Sequence, residues 1–168
     1  MMAYQFNPCK TDADWEAYTL YILDHKLEIH SAFLAKRVIH FIKEQVLYGS
    51  AVIVKDASGQ VIAALGFVYG TPEKGFTDKE TVRLEMVHIL PTYRNTRLFL
   101  RGLIWLKEFL KEHVPATQQI QFYTESSPAE RKQLFEKIAD LISTEPTRFG
   151  VEHEFVASLD RLNRWKLG

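Results

Sequence analysis

The stretch Thr81–His113, TVRLEMVHILPTYRNTRLFLRGLIWLKEFLKEH, limits what this chain can fold into more than any other. From Val82 to Leu90 nearly every residue is apolar or β-branched, and Arg83 and Glu85 are the charged exceptions. A run that apolar on both sides of a two-residue period predicts a central strand covered on both faces. Pro91 ends the strand, and residues 91–96 supply a connection. From Leu98 onward, Leu98, Leu103, Ile104, Leu106, Phe109 and Leu110 fall on one side of a helix, with Arg101, Lys107, Lys111 and Glu112 largely elsewhere. A strand feeding directly into a helix leaves backbone N–H groups at the helix start, a setting that favours anions such as phosphate.

The remaining elements follow from local signals. Tyr4–Pro8 predicts a short strand. Thr11 with Asp14 predicts the start of a helix whose apolar side is Trp15, Tyr18, Ile22 and Leu23. His25–His30 reads as a polar connection. Ser31 caps a second helix with Phe33, Leu34, Val38, Phe41, Ile42 and Val46 inward, and Gly49 stops it. Ser50–Lys55 and Gln60–Tyr69 form a hairpin around Asp56-Ala57-Ser58-Gly59. Gly70–Lys79 reads as an exposed loop, and Gln118–Tyr123 as a strand. Ser127-Pro128-Ala129-Glu130 has the signature of a capped helix start, and that helix runs through Leu134, Phe135, Ile138, Leu141 and Ile142. Val151–Leu159 is a last strand, and Asp160–Gly168 a polar tail with Trp165 as its anchor.

Ile89-Leu90-Pro91-Thr92-Tyr93-Arg94 resembles the signature of the Gcn5-related N-acetyltransferases, the GNAT family, whose central strand ends in hydrophobic-x-Pro-x-Tyr-Arg. Leu134-Phe135-Glu136-Lys137-Ile138 resembles the family's Leu-Tyr-Glu-Lys-Leu motif, with Phe135 in the tyrosine position. The predicted order of elements is similar to the family's over roughly Tyr4–Leu159. The resemblance implies an α/β fold, with a GNAT-like mixed central β-sheet and helices on both faces, in one domain spanning 1–168. It implies direct transfer of an acetyl group from acetyl-CoA to a primary amine, borne by a small molecule or a protein. In the family a (Gln/Arg)-x-x-Gly-x-(Gly/Ala) loop wraps the cofactor pyrophosphate with backbone amides. Carried over, coenzyme A meets Ile89, Arg94, Asn95, Thr96, Arg97, Leu98 and Phe99. The loop's two small positions fall on Arg97 and Phe99, which places bulk where the family uses glycine for close approach. A catalytically inactive GNAT-like binding protein is the alternative reading. The resemblance also allows a homodimer.

Composition sets outer bounds. Lys plus Arg and Asp plus Glu both number 21, so the net charge is zero and nucleic acid is not expected as the main partner. Cys9 is the single cysteine, which excludes an intrachain disulfide and a cysteine-based zinc site. The first residues lack the charged-then-apolar order of a signal peptide, and no apolar run reaches bilayer length, so the expected location is cytoplasmic, away from membranes.

Glu85 is the candidate catalytic residue. A carboxylate in so apolar a strand is paired, wetted or raised in pKa, and a raised pKa suits a general base. The resemblance implies the same role, since a central-strand carboxylate commonly serves the family as base; an ion pair with Arg83 or a neighbouring strand is the competing explanation. His88 lies on the opposite side and reads as a hydrogen-bonded core residue. His25 and His30 read as loop residues near the acceptor, and without a third ligand they predict no metal site. Phe135 has no proton to give a leaving thiolate, which leaves the general acid unassigned. Arg94, Arg97 and Arg101 cluster beside a helix start and suit a phosphate, or alternatively form a solvated helix face.

Overall fold

Thr11 opens the first helix as expected. Its hydroxyl accepts from Asp14 N at 3.1 Å while the Asp14 carboxylate accepts from Thr11 N at 3.0 Å. These reciprocal bonds satisfy two backbone donors that the helix cannot pair itself. The computed structural model describes residues 3–30, 34–94, 97–125, 129–147 and 150–164. The expected cap at Ser31, the core position Phe33, the loop residues Asn95 and Thr96, the helix start at Ser127-Pro128 and the anchor Trp165 lie outside them.

Seven strands make one sheet in the order β1-β2-β3-β4-β5-β7-β6: β1 Gln5–Pro8, β2 Gly49–Lys55, β3 Val61–Tyr69, β4 Thr81–Ile89, β5 Gln119–Glu125, β6 Asp140–Thr147 and β7 Gly150–Ser158. The sheet is mixed. β4 runs parallel to β5, whereas β1–β2, β2–β3, β5–β7 and β6–β7 are antiparallel. β4 is fourth of seven, the central place its composition predicts. Its coverage is unequal, however. Val82, Leu84, Met86 and His88 are buried, whereas Arg83, Glu85, Val87 and Ile89 are only half-buried, and two of those four are charged.

The chain divides into two compact units, residues 1–68 with 85–99, and residues 69–84 with 100–168. In the first, helices α1 (Asp12–Ile29) and α2 (Ala35–Tyr48) pack on β2. Its core joins Tyr18, Ile22, Val38, Ile42, Ala51, Ile53, Ala64 and Met86. Two expectations need correction here. His25–His30 is not a connection: α1 continues to Ile29 because no glycine or proline interrupts it, and the His30 N–H closes it on the Lys26 carbonyl. Leu34, just before α2, and Val46 on it are exposed, and Gln45 is buried instead. Val38, Ile42 and Gln45 follow the helical repeat, and Gln45 tolerates burial because its amide is hydrogen-bonded at both ends. The hairpin turn forms as predicted. Asp56 Oδ1 accepts from Ser58 N, Ser58 Oγ and Gln60 N, and Gly59 takes φ 88°, which glycine adopts without a Cβ penalty.

The second unit holds α3 (Leu98–His113) from Leu100 onward, α4 (Ala129–Ile138) and α5 (Leu159–Leu162). The expected exposed loop Gly70–Lys79 is pinned at its ends, where buried Asp78 accepts from Thr71 N at 2.7 Å and from Thr71 Oγ1 at 2.9 Å. The predicted fourth helix is too long. α4 stops at Ile138, and Leu141 and Ile142 belong to β6. The helical repeat runs by chance across the break, while Pro146 suits an edge strand, where no ladder partner needs its missing N–H. Residues 159–162 of the expected strand end and tail form α5, capped by Ser158.

Candidate active site

The residues singled out in the sequence converge on β4 and the turn after it. Glu85 projects from the half-buried side of β4, and its Oε1 accepts from Gln45 Nε2 at 3.2 Å. Gln45 is held in turn by the fully buried Tyr18, whose hydroxyl donates to Gln45 Oε1 at 2.6 Å and touches Met86 Sδ at 3.8 Å. Burial pushes the Tyr18 phenol well above its ordinary pKa, so it stays a donor. A line of hydrogen bonds from α1 through α2 thus orients one carboxylate on the central strand. Arg83 makes a bidentate pair with Glu73, at 2.9 and 2.7 Å, and donates to Gln121.

Gly66 on β3 makes room for this line. A Cβ at that position would lie 2.0 Å from the Tyr18 hydroxyl and 2.4 Å from Gln45 Oε1. Both side chains are fully buried and have nowhere to move. Gly66→Ala should therefore cost about 1–3 kcal/mol by overpacking and loosen the bond to Glu85. Urea unfolding reads the first effect. A midpoint unchanged from wild type would mean that the Tyr18–Gln45 pair yields freely.

His88 faces the other side of β4 and is 2% exposed. The Tyr21 hydroxyl donates to its Nδ1 at 2.8 Å, and its Nε2–H donates to Glu28 Oε2 at 3.2 Å. Burial first, and then the charge of His25, push the His88 pKa down to about 4 against the pull of Glu28. The expectation of a hydrogen-bonded core histidine holds. The expectation for His25 does not, because it lies on α1 with its ring centroid 4.3 Å from that of His88, the two planes tilted by 34°. Sequence reasoning missed this juxtaposition. Glu28 and His25, three apart on one helix, were its only local signal.

Arg94 also belongs to this group. Its Nε donates to the Ile89 carbonyl at 2.8 Å, and its Nη2 lies 3.4 Å from His88 Nε2 and 3.7 Å from Glu28 Oε1. The side chain is thus turned back over the end of β4. Pro91–Tyr93 form one 3-10 turn, tied to the β2–β3 hairpin by Tyr93 Oη donating to Asp56 Oδ2 at 3.1 Å. Arg97 is exposed, Leu98 is buried and Phe99 is half-buried at the start of α3. Of the residues expected to meet a cofactor, Arg97 presents its charge to solvent whereas Arg94 has protein partners. Phe135 is buried among aromatic rings in the second unit.

No protein-family model matches the sequence, and no curated protein does. Solved structures do match. The chain is similar to the IAA acetyltransferase from Bacillus cereus ATCC 14579, with a TM-score of 0.69 at 12% identity over 93% of this chain and 99% of that one. It is similar to yncA from Salmonella typhimurium, solved with its cofactor acetyl-CoA, with a TM-score of 0.65 at 20% identity over 95% and 94% of the two chains. It is also similar to AAC(6')-Ib in complex with ribostamycin and coenzyme A, with a TM-score of 0.65 at 17% identity over 97% and 98%. Nearly the whole chain has the fold of the Gcn5-related N-acetyltransferases.

Proposed function

We propose that this protein is an N-acetyltransferase that moves an acetyl group from acetyl-CoA directly to a primary amine. The observation that carries the reading is Glu85, a half-buried carboxylate on the central strand of this fold, oriented by buried Gln45. In this reading Glu85 takes the proton from the acceptor ammonium, directly or through one water, as the amine attacks the thioester carbonyl. The C–N bond forms, the C–S bond breaks, and the thiolate leaves and takes its proton from water. The whole of residues 1–168 serves as one catalytic domain, in the cytoplasm. Among the described residues no helix is long and apolar enough to cross a membrane.

The cofactor's pyrophosphate would meet the first N–H groups of α3, with Arg97 alongside as the available cation and with Leu98 and Phe99 at the helix start. Arg94 acts as a positioning residue, since it fixes the Ile89 carbonyl and the turn before the helix. A charge-assisted hydrogen bond contributes about 1.5–3 kcal/mol, so Arg97→Ala should weaken coenzyme A by about tenfold, discounted toward the low end for exposure, and flatten the salt dependence of binding. Calorimetry at two salt concentrations measures both.

A catalytically inactive GNAT-like protein is the second reading. It is favoured by the bulk of Arg97 and Phe99 at the loop's small positions and by Phe135 at the position of the family's tyrosine. The decisive experiment is thermal unfolding with acetyl-CoA and with free coenzyme A, followed by thiol release in the presence of a panel of primary amines. A cofactor that binds the native state raises the melting temperature. An unmoved melting temperature at millimolar cofactor supports the second reading. Gel filtration decides whether the protein works as a homodimer.

A further inference from the structure

The geometry points to a binding site for one divalent transition-metal ion of zinc-like preference, held by His25, Glu28 and His88; the inference is independent of acyl transfer. One ligand atom from each residue lies within 4.8 Å of those from the other two. Two imidazoles and one carboxylate are the donor set of many three-ligand zinc sites, whose fourth position is left to water. In a tetrahedral site with bonds near 2.0–2.1 Å, neighbouring ligand atoms are about 3.3 Å apart. His88 Nε2 and Glu28 Oε2 already stand 3.2 Å apart. His25 shares a helix face with Glu28, and its ring centroid lies 4.3 Å from that of His88, so a small swing of its half-buried ring closes the triangle.

The outer contacts are in place as well. His25 Nδ1–H donates to the Tyr21 carbonyl at 2.9 Å, which leaves the lone pair on Nε2. His88 Nδ1 meets the Tyr21 hydroxyl at 2.8 Å. That hydroxyl serves equally as an acceptor, so a proton moved to Nδ1 exposes the Nε2 lone pair toward Glu28. Both rings thus have the second hydrogen bond that fixes tautomer and orientation in metal-ligating histidines. The nearest competitor is Arg94, whose Nη2 lies 3.4 Å from His88 Nε2 and 3.7 Å from Glu28 Oε1. It must withdraw when the ion enters. Its side chain is 31% exposed and can swing into water. Metal and guanidinium therefore compete for Glu28, and occupancy would pin the last turn of α1 to β4.

Equilibrium dialysis of the chelator-stripped full chain against zinc chloride tests the site, with thermal unfolding as a second readout. The expected result is about one zinc per chain and a raised melting temperature. His25→Ala and Glu28→Gln each weaken retention by at least about tenfold, the least that losing even an outer-shell partner costs. Both positions are away from the buried core, and should one variant fail to fold, the other decides. Arg94→Ala tightens retention, because it removes the competing cation. No zinc held by wild type, equal retention in His25→Ala and Glu28→Gln, or weaker retention in Arg94→Ala overturns the proposal.

Discussion

Glu85→Gln is expected to lower turnover on a cognate primary amine by about two to four powers of ten, the usual size of a general-base contribution. The substitution keeps the shape of the side chain and an oxygen that can accept from Gln45 Nε2, so Tyr18, Gln45 and residue 85 keep their arrangement. What is lost is the basic oxygen. Stability should change little, since one hydrogen bond to a carboxylate becomes one to an amide and the side chain is only half-buried. The KM for acetyl-CoA should also hold, because in the proposed mechanism Glu85 acts on the amine. Steady-state kinetics with a verified acceptor separates these quantities. Unchanged kcat would return Glu85 to a purely structural role, whereas a loss confined to KM would make it a binding group for the ammonium.

Much of this fold was legible along the chain, and the misses have physical causes. The capping pair of Thr11 and Asp14 and the turn built on Asp56 are local hydrogen-bond patterns, complete within four residues. The apolar run of β4 announced a central strand. The end of α1 was misread because His25 and Glu28 look like a polar loop when apolar periodicity is the only guide. Their helix face turns toward His88 and Arg94, a polar cluster that such a pattern cannot signal. Likewise β6 was hidden because Ile138, Leu141 and Ile142 fit a helical repeat as well as a strand. The site was half legible. Glu85 and His88 stand out as polar residues in an apolar strand, but Gln45, Tyr21 and Glu28 lie 40, 67 and 60 residues away in sequence. Only the packing of α1 and α2 brings them there.

Phe155→Ala is expected to be the most damaging single truncation in the second unit, at about 3–5 kcal/mol. β7 is the middle strand of three, and Phe155 stands opposite Phe122 on β5 and Leu141 on β6. The ring is fully buried. It stacks on Phe122 at 5.4 Å between centroids with 15° between planes, and meets Phe135 of α4 edge-on at 5.5 Å. Phe122 and Phe135 complete the triangle at 5.6 Å. Truncation removes the apolar area and leaves a cavity, and it also forfeits two aromatic contacts worth about 0.5–1.5 kcal/mol each. The backbone around Phe155 is paired on both sides, so the strand cannot collapse inward to fill the gap. The same triangle gives Phe135 a reason to be there, since it anchors α4 to the sheet at the position where the resemblance would have a tyrosine. Urea unfolding followed by far-ultraviolet circular dichroism measures the loss, with wild type and variant sharing one slope. A loss below about 1 kcal/mol, the range of volume-conserving swaps rather than cavities, would show that the three rings do not form the close-packed core of this unit.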